Sequence, residues 1–137
     1  MAGKIIADTL EHSTAGSLST EYVVNGSAKA WVSFKGTGTV AIRDSLSVSG
    51  LVDNGTGKYA VAFSNSFANT NYAGNAGLCG FDDAGGDSNS AVVMLTRSQS
   101  NPFTTGDIDI IAAQRLGAAG SFADSAYTAI SINGELA

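Results

Sequence analysis

The sequence predicts an all-β protein, a compact antiparallel β-sandwich, jelly-roll-like, preceded by an extended N-terminal leader. Three observations carry this reading. Apolar residues alternate with polar or small ones along residues 40–48, 59–63 and 108–112, the period that turns one side of a strand toward a core. The chain has 17 glycines and one proline, and the glycines fall between short apolar runs, where turns belong. No stretch has the periodicity of a long amphipathic helix.

Taken in order, residues 1–20 form the leader. Ile5, Ile6 and Leu10 line one side of a short extended or helical piece, and residues 11–17 are polar and small. A segment of this kind frays unless something holds it, so a partner or sister subunit is expected to order it. The sandwich domain is predicted over residues 21–137. Tyr22-Val23-Val24 reads as a β-branched, aromatic strand closed by the turn pair Asn25-Gly26. In the next strand, Lys29 to Phe34, Trp31 faces one way and Val32 and Phe34 the other. After the Gly36-Thr37-Gly38 turn, Val40, Ile42, Leu46 and Val48 share one face of a long strand.

Asp53-Asn54-Gly55-Thr56-Gly57 is the clearest hairpin signal, with Leu51 or Val52 near its base and Tyr59, Val61 and Phe63 on the returning strand. Residues 65–70 read as a turn and residues 72–81 as a weak strand broken by glycines. Residues 82–89 read as a loop and Val92 to Leu95 as a strand. A second loop covers residues 98–106, with Pro102, before a strand carrying Ile108, Ile110 and Ala112. Residues 116–124 read as small and flexible. Tyr127, Ala129, Ile130 and Ile132 form the last strand. About seven or eight short strands with frequent turns fit a sandwich or barrel.

Composition narrows the function. Of 137 residues, 44% are hydrophobic and 14% charged, with a net charge of −5. Disordered chains and phosphate readers both need more charge. The seven cations, Lys4, Lys29, Lys35, Arg43, Lys58, Arg97 and Arg115, are scattered singly, so no nucleic-acid partner is expected. Met1-Ala2-Gly3-Lys4 lacks the apolar core of a signal peptide, and no apolar run has the length of a membrane span. A soluble protein made in a cytoplasm, without membrane insertion, is expected.

The candidates for chemistry are few. His12 is the only histidine and sits in the leader, which lacks the rigid support a catalytic base needs. Cys79 is the only cysteine, so no intrachain disulfide forms, and between Leu78 and Gly80 it reads as a buried apolar thiol. One Cys and one His make no zinc site. Asp82, Asp83 and Asp87, with Asn89, place several oxygens around glycines and are the one candidate for a cation. Their spacing is not that of an EF-hand, and a solvated turn is the stronger reading. Asp107 and Asp109 match a glycosidase pair only by residue type; with isoleucines between and beside them they read as a polar outer face. Trp31, Tyr59 and Tyr72 are aromatics that stack on sugars when exposed, with core or interface the stronger role for Trp31 and exposure and burial equally weighted for Tyr72. No cofactor and no catalytic residue is expected.

Several motifs in order resemble the small tail-fibre-like virion proteins of aquatic bacteriophages. They are residues 3–13 (Gly3 to Ser13), residues 22–31 (Tyr22 to Trp31), residues 38–45 (Gly38 to Ser45), residues 53–57, residues 67–72 and the closing Ile132-Asn133-Gly134-Glu135-Leu136-Ala137. Together they cover about half the chain, mostly its first 72 residues, and residues 73–127 match least. The resemblance implies a virion structural protein, often a homotrimer, with no catalytic residues to transfer. It implies contact with other virion proteins and with a host surface glycan or protein, in a tail fibre, a head fibre or a capsid decoration. A charge-poor surface rich in Ser, Thr, Asn, Ala and Gly suits subunit packing, because few charges lose water on assembly. The assembly residues expected are Ile5, Ile6, Leu10 and Trp31. The host-contact candidates are Tyr72, Asp83, Asn89, Asn101 and Phe103, on or beside the loops at residues 82–90 and 98–106. A glycan hydrolase built on Asp107 and Asp109 is the enzymatic rival.

Overall fold

The computed structural model describes residues 3, 5–80, 91–95, 103–116 and 119–137, with the side chains of residues 76–80, 91–95 and 114–121 left aside. Nearly all of the regular structure is antiparallel strand. In chain order the elements are β1 (Thr9–His12), β2 (Gly16–Ser19), α1 (Thr20–Gly26), β3 (Ala28–Lys35), β4 (Ala41–Leu46), β5 (Val48–Asp53), β6 (Lys58–Phe63), β7 (Ala73–Gly80), β8 (Ala91–Leu95), β9 (Asp107–Leu116), β10 (Ala119–Phe122) and β11 (Tyr127–Asn133). β1 and β2 form a small ribbon by themselves, and the other strands form two larger sheets.

The first large sheet runs β4-β3-β11-β7, so the first and last strands of the sandwich lie side by side at its centre. In the second, β9 is the hub. Ile110 and Ile111 pair with both β6 and β8, which therefore lie on opposite edges of β9. Ala113 and Gln114 pair with both β8 and β10, so β10 shares an edge with β6, end to end. β5 completes this sheet beside β6.

The alternation along the strands builds the core between the two sheets. Val32, Phe34, Ile130 and Ile132 come from one sheet; Tyr59, Val61, Phe63, Ile108, Ile110 and Ala112 come from the other. Phe34 meets Tyr59 edge to face with ring centroids 4.9 Å apart, a favoured aromatic geometry that bridges the layers. Phe67 caps one end, 4.9 Å from Phe63 and 4.7 Å from Tyr72. Thr128 is buried in the first sheet, and its hydroxyl has no hydrogen-bond partner among the described residues.

The hairpin signal at Asp53–Gly57 forms as expected. Asn54 N–H donates to the Lys58 carbonyl at 2.9 Å, and Gly55 N–H donates to Asp53 Oδ1 at 2.9 Å. Gly57 has φ 65°, and a Cβ there would strike the Ala112 carbonyl oxygen, so glycine is required twice over. Its N–H donates to Asp124 Oδ1 at 2.8 Å, and the same oxygen accepts from Tyr59 Oη at 3.0 Å. One carboxylate thus fastens the hairpin tip to the segment before β11.

Four expectations are corrected. The apolar run of residues 40–48 is not one strand. Ser47, at φ 55°, breaks it into β4 and β5, which belong to different sheets. Val40 and Val48 pack on the core at either side of this corner, while Ile42 and Leu46 stay exposed. Tyr22-Val23-Val24 is helical rather than a strand closed by a turn. Ser19 caps α1 by accepting from Glu21 N–H at 3.3 Å. At the other end the Lys29 ammonium holds the Val24 and Ser27 carbonyls, and Asn133 Nδ2 donates to the Gly26 carbonyl at 2.7 Å. Among the described residues no strand pairs with this segment, and these caps favour the helix over its β propensity.

The stretch of residues 116–124 is not simply small and flexible, because residues 119–122 pair with β9 as β10. The leader is not simply extended: β1 and β2 close a ribbon around a tight turn with Gly16 at φ 94°. His12 Nδ1 accepts from the Ala15 N–H of that turn at 3.1 Å. This gives His12 a local role in the turn.

Candidate functional site

The sandwich buries a continuous core between its sheets, so the groups left for function lie on its surface and in the segment before it. Residues 5–27 form an arm in which no residue is buried. Leu10 and Leu18 are cross-strand partners on one face of the β1–β2 ribbon, and both are exposed. Ile5 is 90% exposed, Ile6 81% and Tyr22 70%; Val23 and Val24 are exposed as well. The expected assembly residues Ile5, Ile6 and Leu10 are therefore all available to a partner. Leu18, Tyr22, Val23 and Val24 join them, and sequence reasoning missed these four. For Leu18 a signal existed: Gly16 marks the turn that folds it back onto Leu10.

Trp31, the fourth assembly residue, is half-buried on the face of β3 turned away from the core, which corrects the sandwich-core alternative for it. Its register partners there are Leu46 on β4 and Ser131 on β11. Farther along this sheet Arg43 lies over the exposed Tyr127 ring, 4.3 Å from its centroid, and donates through Nη2 to the Ala126 carbonyl at 2.9 Å. Such a stacked cation is worth about 0.5–1 kcal/mol when exposed. β4 is the terminal strand of this sheet, and five of its six residues are exposed.

The other sheet also presents apolar groups outward. Val52 and Phe122 are exposed, and the Lys58 ammonium lies 4.9 Å from the Phe122 ring centroid. Asp109 is paired with Ala60 across the strands. Burial, and then the charge of Asp107, push its carboxyl above the usual aspartate range. Asp107 itself accepts from Thr104 Oγ1 at 2.6 Å. The two carboxylates are thus held by strand pairing and a turn hydroxyl.

Two host-contact candidates fall on described side chains. Tyr72 is 8% exposed, so of the two roles left open for it burial is the one found, and its ring is not on display as a host contact. Its hydroxyl donates to the Thr104 and Asp107 carbonyls at 3.0 and 3.1 Å, so it staples the β9 approach to the core. Phe103 is half-buried against Tyr72, with centroids 5.3 Å apart. Tyr59 is buried too and is withdrawn as a stacking platform. Asp82, Asp83, Asp87, Asn89 and Asn101 lie outside the described residues, as does the Cys79 side chain. Among the described residues no group of three His, Cys, Asp or Glu converges as a metal site. Among them, too, no helix is long and apolar enough to cross a membrane.

Comparison with family models, with curated proteins and with solved structures returned no match for this chain.

Proposed function

We propose that this chain is a virion structural protein, a tail-fibre or receptor-binding component that acts as a homotrimer by multivalent surface contact. The observation that carries the proposal is the contrast between a sandwich that buries its core and an arm whose large apolar side chains are exposed. Large exposed apolar groups gathered in one segment mark an interaction surface. The ordered series of motifs resembling phage fibre proteins supplies the kind of assembly. A capsid decoration or head-fibre role uses the same arm and is the alternative. Within this reading the arm holds the subunit in the particle, and the loops at residues 82–90 and 98–106 face the host.

Quantitative mass spectrometry of purified particles tests this. A few tens of copies or fewer per particle is the expected result for a fibre. Hundreds of copies would replace it with the decoration role. Absence from washed particles overturns the virion assignment altogether.

A further inference from the structure

We propose that the arm of one copy docks on the outer face and free edge of β3 and β4 of a second copy, so that copies join head to tail. This deepens the assembly reading and rests on it for the number of copies, though not for the contact itself. The arm does not have the means to be stable alone. Its ribbon has strands of four residues each, and an isolated two-stranded hairpin is marginal in water. Its helix has seven residues, well short of the roughly 12–15 an isolated helix needs. Its tethers to the sandwich, Lys29 and Asn133, lie at the end of α1, far along the chain from Ile5 and Leu10.

The acceptor surface has the matching properties. Among the described residues β4 ends its sheet with an unpaired edge, an open template for another strand. Ile42 and Leu46 are exposed on it, and Trp31 stands opposite Leu46 on the outer face. Charge favours the same match. Residues 1–27 carry Lys4 against Asp8, Glu11 and Glu21, a net −2, while residues 28–46 carry Lys29, Lys35 and Arg43 against Asp44, a net +2. An acidic apolar arm and a β3–β4 face whose net positive charge comes from Lys29 and Lys35 on β3, Arg43 and Asp44 cancelling on β4, fit a second copy of that chain. Because donor and acceptor are different patches, the contact is heterologous, the kind that closes into rings such as trimers.

Native mass spectrometry of the purified full chain decides the matter. Wild type should run at a small multiple of 13.8 kDa. A donor variant, Leu10→Asp with Leu18→Asp, and an acceptor variant, Ile42→Asp with Leu46→Asp, should each run as single chains. Mixed one to one they should form heterodimers, since the pair retains one sound arm and one sound edge. A single-chain wild type, a donor variant with wild-type mass, or a mixture that stays monomeric overturns the proposal. Should the β4 double substitution unfold the sandwich, Leu46→Ser is read instead. A loss of self-association of roughly tenfold or more supports the contact, as burial of one leucine implies, and no loss overturns it. Particle copy number plays no part here, so the contact and the virion assignment fail separately.

Discussion

Val32 and Val24 are the same residue eight positions apart, and they meet opposite fates. Val32 is buried at the centre of the sandwich; Val24 is 61% exposed on α1. The difference is one of neighbours. Val32 lies on β3 between β4 and β11, with the second sheet packed over its face. The arm has one short capped helix and one small ribbon, and among the described residues none of the arm's is buried. Burial in a small all-β chain thus depends on having a facing sheet more than on local hydrophobicity. Apolar residues without such a partner stay exposed, and on the reading proposed above they are the ones that serve assembly.

The sharpest way to test this division is to make one kind of change on both sides of it. On the sandwich side, Phe34→Ala should cost about 3–5 kcal/mol, the range for removing a buried aromatic ring. Phe34 is fully buried and carries the edge-to-face contact with Tyr59 across the layers. Against a typical total of about 5–15 kcal/mol, that loss brings the domain close to unfolding. Urea denaturation followed by far-UV circular dichroism reads it. A cost below about 1 kcal/mol would mean that Phe34 does not join the two layers.

Alkaline pH separates the two regions by a second route. Burial above all, then the hydrogen bond and charge of Asp124, push the Tyr59 hydroxyl far above its ordinary value of 10.0. Burial and then the charge of Asp107 push Tyr72 up to about 12. Both phenols stay neutral in the folded chain where the unfolded chain ionises them. Their contribution is therefore complete below pH 10.0 and fades as pH rises toward about 12. The urea midpoint should fall through that window, and equally so in a variant lacking residues 1–27, because both tyrosines belong to the sandwich. A midpoint flat across the window, or a fall confined to the full-length chain, breaks the assignment.

The sequence makes most of the sandwich legible because period two is set by geometry. Tyr59, Val61 and Phe63 alternate with alanines, and all three are buried; Ile108, Ile110 and Ala112 are buried at the same spacing. It fails where a single residue changes direction. Nothing in the alternation of residues 40–48 announces that Ser47 adopts a positive φ and sends the chain to the other sheet. It fails again at Tyr22-Val23-Val24, where β-branched composition outweighs the cap at Ser19 until the lack of a neighbouring strand is known. β10 is missed because its four residues are defined by pairing with β9, and they show no alternation of large apolar residues in the sequence. For the site, Ile5, Ile6 and Leu10 are legible as apolar residues in a polar setting. The burial of Tyr72 stays open at the sequence level because its partners, the Thr104 and Asp107 carbonyls, lie more than 30 residues away in sequence.

The smallest effect is the most informative about the arm. Val24→Ser removes an apolar side chain as Phe34→Ala does, but from a helix with no buried residue. In the single chain the stability of the sandwich should move by less than about 0.5 kcal/mol, as for surface substitutions away from special features. The helix has little to lose from serine by propensity, since valine and serine rank close together. If Val24 packs only between copies, the change appears in assembly and not in unfolding of the single chain. The measurement is a pair of urea curves, one at a protein concentration where the chain is monomeric and one where it is associated. Near-identity of variant and wild type in the first, with a gap opening in the second, places the arm in the interface. A loss of about 2 kcal/mol already present in the monomer, the size expected for a buried aliphatic side chain, would instead mean that the arm packs on its own sandwich. The two regions would then have to be treated as one cooperative unit.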